Sequence, residues 1–390
     1  MDDIPNKIQN HLGIICDINL IESDSKYLIE IIVKPYDIAI SYQGRYYYRS
    51  GSTKQELKGS TLNNFLLKKA GKTWDDVVES RAKIEDIDLE AVRSFKKNAV
   101  KSKRLPFIED ESNINKILDN LLLLDNNCLK RSAVLLFGKK PCRFYVNAYI
   151  KIGRFGKTDD DLKFQEVVES NAFELAEKTL SVLDRKFLIS AVSYEGLQRV
   201  EKWEYPYKAV RETIVNAIIH RDYTGAPIQI SIYDDKIIVW NQGELPDGLT
   251  IEDLKQKHSS RPNNPILAGV FFKGGLIEAW GRGTISIINE CKKAGLPEPI
   301  FKSEFGGISV TLFKDKFTEK YLREIGLNNR QITAVNYTKK NVFISNQVYQ
   351  KICDTSDRTA SRDLEFLTSL NIFKKIGEKK GTKYQLKYDG

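Results

Sequence analysis

The sequence predicts an α+β chain of several domains, and three observations carry that prediction. At 390 residues the chain is too long for a single core and implies two to four domains. Along it, strand-like alternation and helix-like spacing follow one another without settling into either class. After Lys314 the pattern changes to short helices and a basic hairpin, which places a boundary near residue 315.

A hydrophobic content of 41% and a charged content of 29% place the chain among folded globular proteins rather than disordered ones. The richest apolar run, residues 117–124, is far too short to cross a bilayer. The opening MDDIPNKIQN has no apolar signal core. Five cysteines without a CxxC spacing, and three histidines in all, argue against a zinc site and for a reducing, cytoplasmic location. Net charge is +9, and residues 321–390 hold 13 Lys and Arg against 7 Asp and Glu. Two thirds of the excess therefore sits in the last 70 residues, the footprint of a polyanion partner.

In chain order, residues 27–34 alternate as a half-buried strand, and 38–42 with 45–49 flank Gln43-Gly44 as a hairpin. Ser60 is placed to cap a helix over 61–70. Residues 77–106 read as charged and helical, 113–123 and 130–137 as helices, 144–153 as a strand. A long helix over 171–186 precedes a strand at 187–194. Helix 207–220 is followed by strands 228–233 and 236–240 about Asp234-Asp235, then a Gly-, Pro- and Asn-rich loop over 241–275. A helix at 283–295 and a strand at 308–312 close this part. Beyond 327 come helices at 328–340, 346–353 and 357–370, then a basic hairpin at 373–386, with Leu364, Leu367 and Leu370 expected inward.

The informative helix is 207–220. Glu212, Asn216 and His220 fall four residues apart on one face, while Val210, Ile214, Ala217 and Ile218 supply the apolar side. Such a stripe also fits a solvated face. Three short motifs at set distances downstream weight the other reading: Asn241-Gln242-Gly243 after a strand, then Trp280-Gly281-Arg282-Gly283-Thr284 opening a helix, then Gly306-Gly307 before the last strand. A carboxylate accepts a proton and an amide oxygen is a hard metal ligand.

This ordered set resembles the GHKL (Bergerat-fold) ATPases, such as gyrase, MutL and histidine kinases. The resemblance implies an α/β sandwich binding ATP or ADP with Mg²⁺. It makes Glu212 the catalytic residue that polarises water, and Asn216 the magnesium ligand. Gly281, Arg282, Gly283 and Thr284 become the phosphate-receiving glycine box, and the loop after Asn241 and Gly243 becomes a nucleotide lid. One position departs: the family places Asp where Asn241 stands, and an amide oxygen can still accept the adenine hydrogen bond. NAIIHRDY, NQGELPDGL, RPNNPIL, GLIEAWGRG and AGLPEPIF together resemble the Bergerat-like domain of bacterial transcriptional regulators and RecG-related ATP-binding proteins. By that resemblance His220, Arg221 and Tyr223 edge the pocket, although Arg221-Asp222 equally fits a local ion pair.

PYDIAISYQGRYYYRSGST resembles the second half of the Schlafen-type AlbA-like domain of the same bacterial proteins; the first-half motifs do not occur. Tyr46, Tyr47, Tyr48, Arg49 and Ser50-Gly51-Ser52 suit nucleic acid, while alternate tyrosines also suit cross-strand pairing. Arg-Thr-Ala-Ser-Arg-Asp-Leu at 358–364 resembles a winged helix-turn-helix of the DeoR-like kind. That resemblance puts Arg358, Thr359, Ser361 and Arg362 on DNA, with Lys374, Lys375, Lys379, Lys380 and Lys383 on the wing near the backbone.

The expectation is thus an ATP-binding, DNA-binding transcriptional regulator, homo-oligomeric, without a membrane partner. Its parts are a partial AlbA-like module (1–75), a helical and α/β linking region (76–195), a Bergerat-like domain (196–315) and a winged helix (320–390). Weak ATP hydrolysis is left open. Three other readings stay open: a DNA-stimulated ATPase in phage defence, a Schlafen-like nuclease, and a scaffold whose pocket has lost nucleotide.

Overall fold

The computed structural model describes residues 3–387 apart from 24–25, 35, 37, 52, 106–107, 157, 189–190, 196–197, 247, 279–280, 316, 318 and 378–381. The chain opens with α1 (Asp3–Leu12) and an antiparallel ribbon of β1 (Asp17–Ser23) and β2 (Lys26–Ile32). A second ribbon, β3 (Tyr46–Ser50) with β4 (Thr53–Leu57), leads into α2 (Gly59–Lys69). The Gln43-Gly44 turn is present, both residues at positive φ beneath a Tyr42–Arg45 bridge. Its expected strand partner at 38–42 is not; Gly51, at positive φ, turns the chain so that residues 53–57 pair with 46–50 instead. Helix α2 starts one residue before Ser60, with Lys58 at the cap position and no side-chain cap.

Next come α3 (Leu89–Lys101), α4 (Ile114–Asn120), the short β5 (Leu124–Asp125) and β6 (Cys128–Leu129), and α5 (Arg131–Phe137). Residues 77–88, expected as helix, form bridges to Lys130 and Gly138 instead, and Asp88 then caps α3 by accepting from Glu90 N and Ala91 N. After β7 (Tyr149–Phe155) and β8 (Leu162–Glu169), α6 (Ala172–Val182) runs into one wide turn at Leu183–Phe187. The strand expected from 187 therefore begins only at β9 (Ala191–Glu195), which pairs with β10 (Gln198–Lys202). Then come α7 (Tyr207–His220), β11 (Ile228–Ile232), β12 (Lys236–Gln242), α8 (Pro265–Lys273), α9 (Gly283–Lys293), β13 (Ile300–Glu304) and β14 (Gly307–Phe313).

Six of these strands make one mixed sheet in the order β13-β14-β12-β11-β7-β8, parallel only between β11 and β7. Ile228, Ile230 and Ile232 on β11, and Ile237 and Val239 on β12, alternate inward and meet Val210, Ile214 and Ile218 of α7. That is the period-two and period-3.6 matching that makes a sheet-and-helix layer pair. One apolar core runs from Ile87 to Leu312, tied by Phe95, Phe137, Phe173 and Phe271 in edge and tilted contacts. Helix α8 sits inside the stretch read as loop. Its start is held from far along the chain: buried Asp75 accepts from Ile266 N at 2.9 Å and Leu267 N at 3.0 Å.

A second core gathers α10 (Glu319–Glu324), α11 (Asn329–Asn341), β15 (Phe343–Ile344), α12 (Asn346–Cys353), α13 (Asp357–Ser369), β16 (Phe373–Ile376) and β17 (Lys383–Leu386). Its three strands are antiparallel in the order β15-β17-β16. Asn328, Ser345 and Ser356 cap the three longer helices with side-chain oxygens. Leu364 and Leu367 are fully buried, whereas Leu370, one residue past α13, is 40% exposed.

Candidate functional site

Helix α7 places Glu212, Asn216 and His220 on the floor of a cavity of about 130 Å³. Val239 and Asn241 of β12, with Phe301, Ile308 and Val310 behind, form its sheet-side wall. Leu245, Pro246, Leu249 and Leu254 roof it from the long connection between β12 and α8, and residues 281–284 close the side at the start of α9. Burial pushes the Glu212 carboxyl above its usual range, against the opposing pull of Arg211 and a hydrogen bond with Asn216. Burial also pushes the His220 imidazole down to about 4, with His258 adding to the effect, so the ring is neutral at pH 7. Asn241 donates from Nδ2 to Gln242 O at 3.3 Å, which leaves Oδ1 as its acceptor.

The start of α9 is built for close approach. A Cβ on Gly283 would lie 2.4 Å from Glu212 Oε1 and 3.0 Å from Asn216 Nδ2. Gly281 has φ +61°, and a Cβ there would meet His258 O at 2.2 Å. At Gly281 the positive φ and the backbone contact require glycine, and at Gly283 a side chain would push Glu212 aside. The helix start carries no side-chain cap, and the Thr284 hydroxyl is buried without a hydrogen-bond partner among the described residues. Uncapped N–H groups at a helix start together with an unused hydroxyl form a receptacle for an anionic oxygen. Among the described residues no three His, Cys, Asp or Glu side chains converge as metal ligands. A divalent cation held here would lean on Asn216 and Glu212, drawing its other oxygens from ligand and water.

Two guanidinium groups hold the approach to this segment. Arg104, just beyond α3, donates to Phe272 O at 2.7 Å, Ile277 O at 2.6 Å and Glu278 Oε1 at 3.0 Å, and lies over the Phe272 ring. Arg211 donates to Leu276 O at 2.8 Å. Sequence reading missed Arg104 because its partners lie about 170 residues away and no local spacing marks it.

The structure brings Glu212, Asn216, His220, Asn241, Gly281, Arg282, Gly283 and Thr284 together around the cavity. Arg221 and Gly243 instead border an adjoining cleft of about 610 Å³, which shares Leu245 and Pro246 with the cavity. The backbone turns extended at Arg221, which swings its side chain into the interior, where Nη2 donates to Asn147 O and Ala226 O. The alternative Arg221-Asp222 ion pair does not form either, since Asp222 accepts from Thr224 N and Oγ1. Tyr223 is buried, stacked on Trp74 and donating to Ile218 O. Trp280 lies outside the described residues.

In the second core, Arg358 and Arg362 project from α13 into solvent, as do Lys374 and Lys375 from β16. Lys383 on β17 is exposed and lies over the Phe343 ring at 4.1 Å. Thr359 is engaged at the helix cap with Ser356, and Ser361 accepts from Asn346 Nδ2 at 2.7 Å, tying α12 to α13. Lys379 and Lys380 lie outside the described residues. Beneath this surface, buried Asp363 accepts from Tyr349 Oη at 2.9 Å, Arg330 Nε at 3.2 Å and Gln331 Nε2 at 3.3 Å.

Residues 225–312 match the family model described as "Putative ATP-dependent DNA helicase recG C-terminal". This stretch, β11 through β14 with most of the cavity's walls and roof, is thus similar to an ATPase domain related to the RecG C-terminus. The match begins after α7. Among solved structures, the DIP2311 protein from Corynebacterium diphtheriae is similar at 18% identity and a TM-score of 0.49, over 99% of this chain and 79% of that one. No curated protein matches the chain.

Proposed function

We propose that this protein binds ATP with Mg²⁺ in a Bergerat-type pocket and couples the bound state to DNA contact through a C-terminal winged helix. One observation carries the nucleotide reading. The polar stripe of α7, outside the matched stretch, faces the cavity that the matched stretch walls and roofs. The unpartnered Thr284 hydroxyl and the Gly283 contact fit a phosphate at the start of α9. The adenine would lie against Val239 and Ile308, accepted by Asn241 and shielded by Leu245 and Leu249. Asn216 would hold the magnesium, which when bound neutralises phosphate charge. Glu212, which burial makes a stronger base, would orient a water and in its ionised form accept its proton, so slow hydrolysis belongs to the same reading. The cavity is smaller than the ~300–1,000 Å³ of ligand pockets, so the 244–262 connection would move outward on binding. Calorimetric titration with ATP and Mg²⁺, beside Asn216→Ala, tests this. Micromolar binding that the variant loses supports it, and no heat with the unaltered chain sinks it.

The DNA reading rests on the exposed cations of α13 and β16 above a self-contained core of three capped helices and a three-stranded sheet. That order is the one expected of a winged helix, with Arg358 and Arg362 meeting base edges or phosphate and Lys374, Lys375 and Lys383 the backbone. Ser361 belongs to the packing and drops to a minor role. We divide the chain accordingly into a partial AlbA-like module (1–75), a linking region (76–195) sharing its core with the nucleotide domain (196–315), and the winged helix (320–390). A homo-oligomeric regulator completes the proposal. No helix among the described residues is long and apolar enough to cross a membrane.

A further inference from the structure

The first ribbon stands apart from every other strand pair. Leu20, Tyr27, Leu28, Ile29, Ile31 and Ile32 are 43–70% exposed. Successive residues of a strand point to opposite faces, so exposure at both Leu28 and Ile29 leaves both faces of the ribbon wet. β1 and β2 pair only with each other among the described residues, so each keeps one open edge. A two-stranded ribbon is at best marginally stable in water, and an apolar open edge is a template for another strand.

The two edges differ in charge. β1 carries only acids, Asp17 and Glu22, and would repel a copy of itself. β2 carries Lys26 and Glu30, four residues apart and so on one face. Antiparallel pairing of β2 with a second β2, centred on Leu28, sets Lys26 opposite Glu30 of the second copy, twice by symmetry. It also sets Tyr27 opposite Ile29 and Leu28 opposite itself. The in-chain partner of Glu30 is the neutral amide of Asn19, at 2.9 Å, which leaves the carboxylate charge uncompensated.

We propose that two copies of this chain join through β2, antiparallel and two-fold symmetric, into a four-stranded sheet with both Lys26–Glu30 pairs formed. It adds a surface to the homo-oligomer part of the function proposed above and is independent of the nucleotide pocket. A failed ATP titration would leave it standing. Light scattering on the full chain across a concentration series, without nucleotide, tests it. The unaltered chain reaches twice the chain mass. Lys26→Glu alone and Glu30→Lys alone each raise the dimer dissociation constant about tenfold or more by setting like charges opposite. An equimolar mixture of the two single variants, and the double swap, regain the original affinity; Asn19→Ala leaves it unchanged. A monomer at every concentration overturns the proposal. So does a dimer that neither single variant weakens, or one that the double swap does not restore while circular dichroism stays native.

Discussion

Around α7, Glu212, Asn216 and His220 are drawn into an apolar-walled cavity, and Thr284 beside them has no hydrogen-bond partner among the described residues. At the centre of the second core the buried carboxylate of Asp363 is met by Tyr349, Gln331 and Arg330. Both are polar groups taken out of water, at similar cost per group. One set is compensated fully from within the fold and the other only in part, through the Glu212–Asn216 hydrogen bond. Where compensation is complete, the carboxylate organises three helices and the cations above it are left free for the surface. Where it is incomplete, Glu212 titrates high and His220 low, the signature of groups awaiting an outside partner.

The comparison breaks most visibly at Gly281. Gly281→Ala, at φ +61° and with its Cβ 2.2 Å from the His258 carbonyl oxygen, displaces the backbone at the start of α9 and should abolish nucleotide binding in calorimetry while circular dichroism stays native; retained micromolar binding would place the ligand elsewhere. Asp363→Ala should cost the second core about 3 kcal/mol, because it strands buried donors. Faster amide exchange across 329–386, with unchanged exchange in α7, is the expected record. Asn216→Ala, which keeps the cavity's shape, should weaken ATP about a hundredfold in the presence of Mg²⁺, roughly 2.7 kcal/mol, by removing one hard ligand and one hydrogen bond.

Changing Lys374, Lys375 and Lys383 together to Ala should weaken all DNA sequences alike and shrink the salt slope by up to about 3. An unaltered slope would remove the surface cations from the DNA reading. The smallest effect sharpens the comparison by pH. The folded His220 pKa, about 4, lies below its unfolded value of 6.5, so between those values the unfolded chain binds the extra proton and stability falls as pH falls. His220→Asn should flatten urea midpoints measured from pH 4 to 6.5, removing at most about 1.4 kcal/mol per pH unit. Glu212 works the other way, favouring the protonated folded state and costing stability above its unfolded pKa of 4.5.

Both regions were legible where structure is local. Helix 207–220 announced itself by its apolar spacing, and the helix at 357–369 by its inward Leu364 and Leu367. Strands β8 and β13 went unseen because they flank the sheet and carry outward charges, so neither alternates cleanly. Helix α8 was hidden among Pro, Gly and Asn because its cap, Asp75, comes from 191 residues upstream of Ile266. In the site, spacing picked out the stripe that lines the cavity, and Gly281 and Gly283 line it too. Arg221, put at the pocket's edge by resemblance, turns away because the chain leaves helical geometry there, and a side chain one residue past a helix end no longer follows the helix face. Arg104 reaches the cavity's edge only through tertiary packing, which no window of sequence contains.

The reach of Asp75 and Arg104 bears on how such a protein could be cut and rejoined during evolution. The stretch that matches the RecG-related family model, 225–312, contains neither the acid, amide and imidazole of α7 nor the carboxylate and guanidinium that pin α8 and its following turn. A recombination event exchanging that stretch alone would import a wall and a roof onto a foreign floor. A crossover placed before residue 74 would carry the whole apparatus as one heritable piece, while the segment from Phe317 onward, with its own core, could be traded separately.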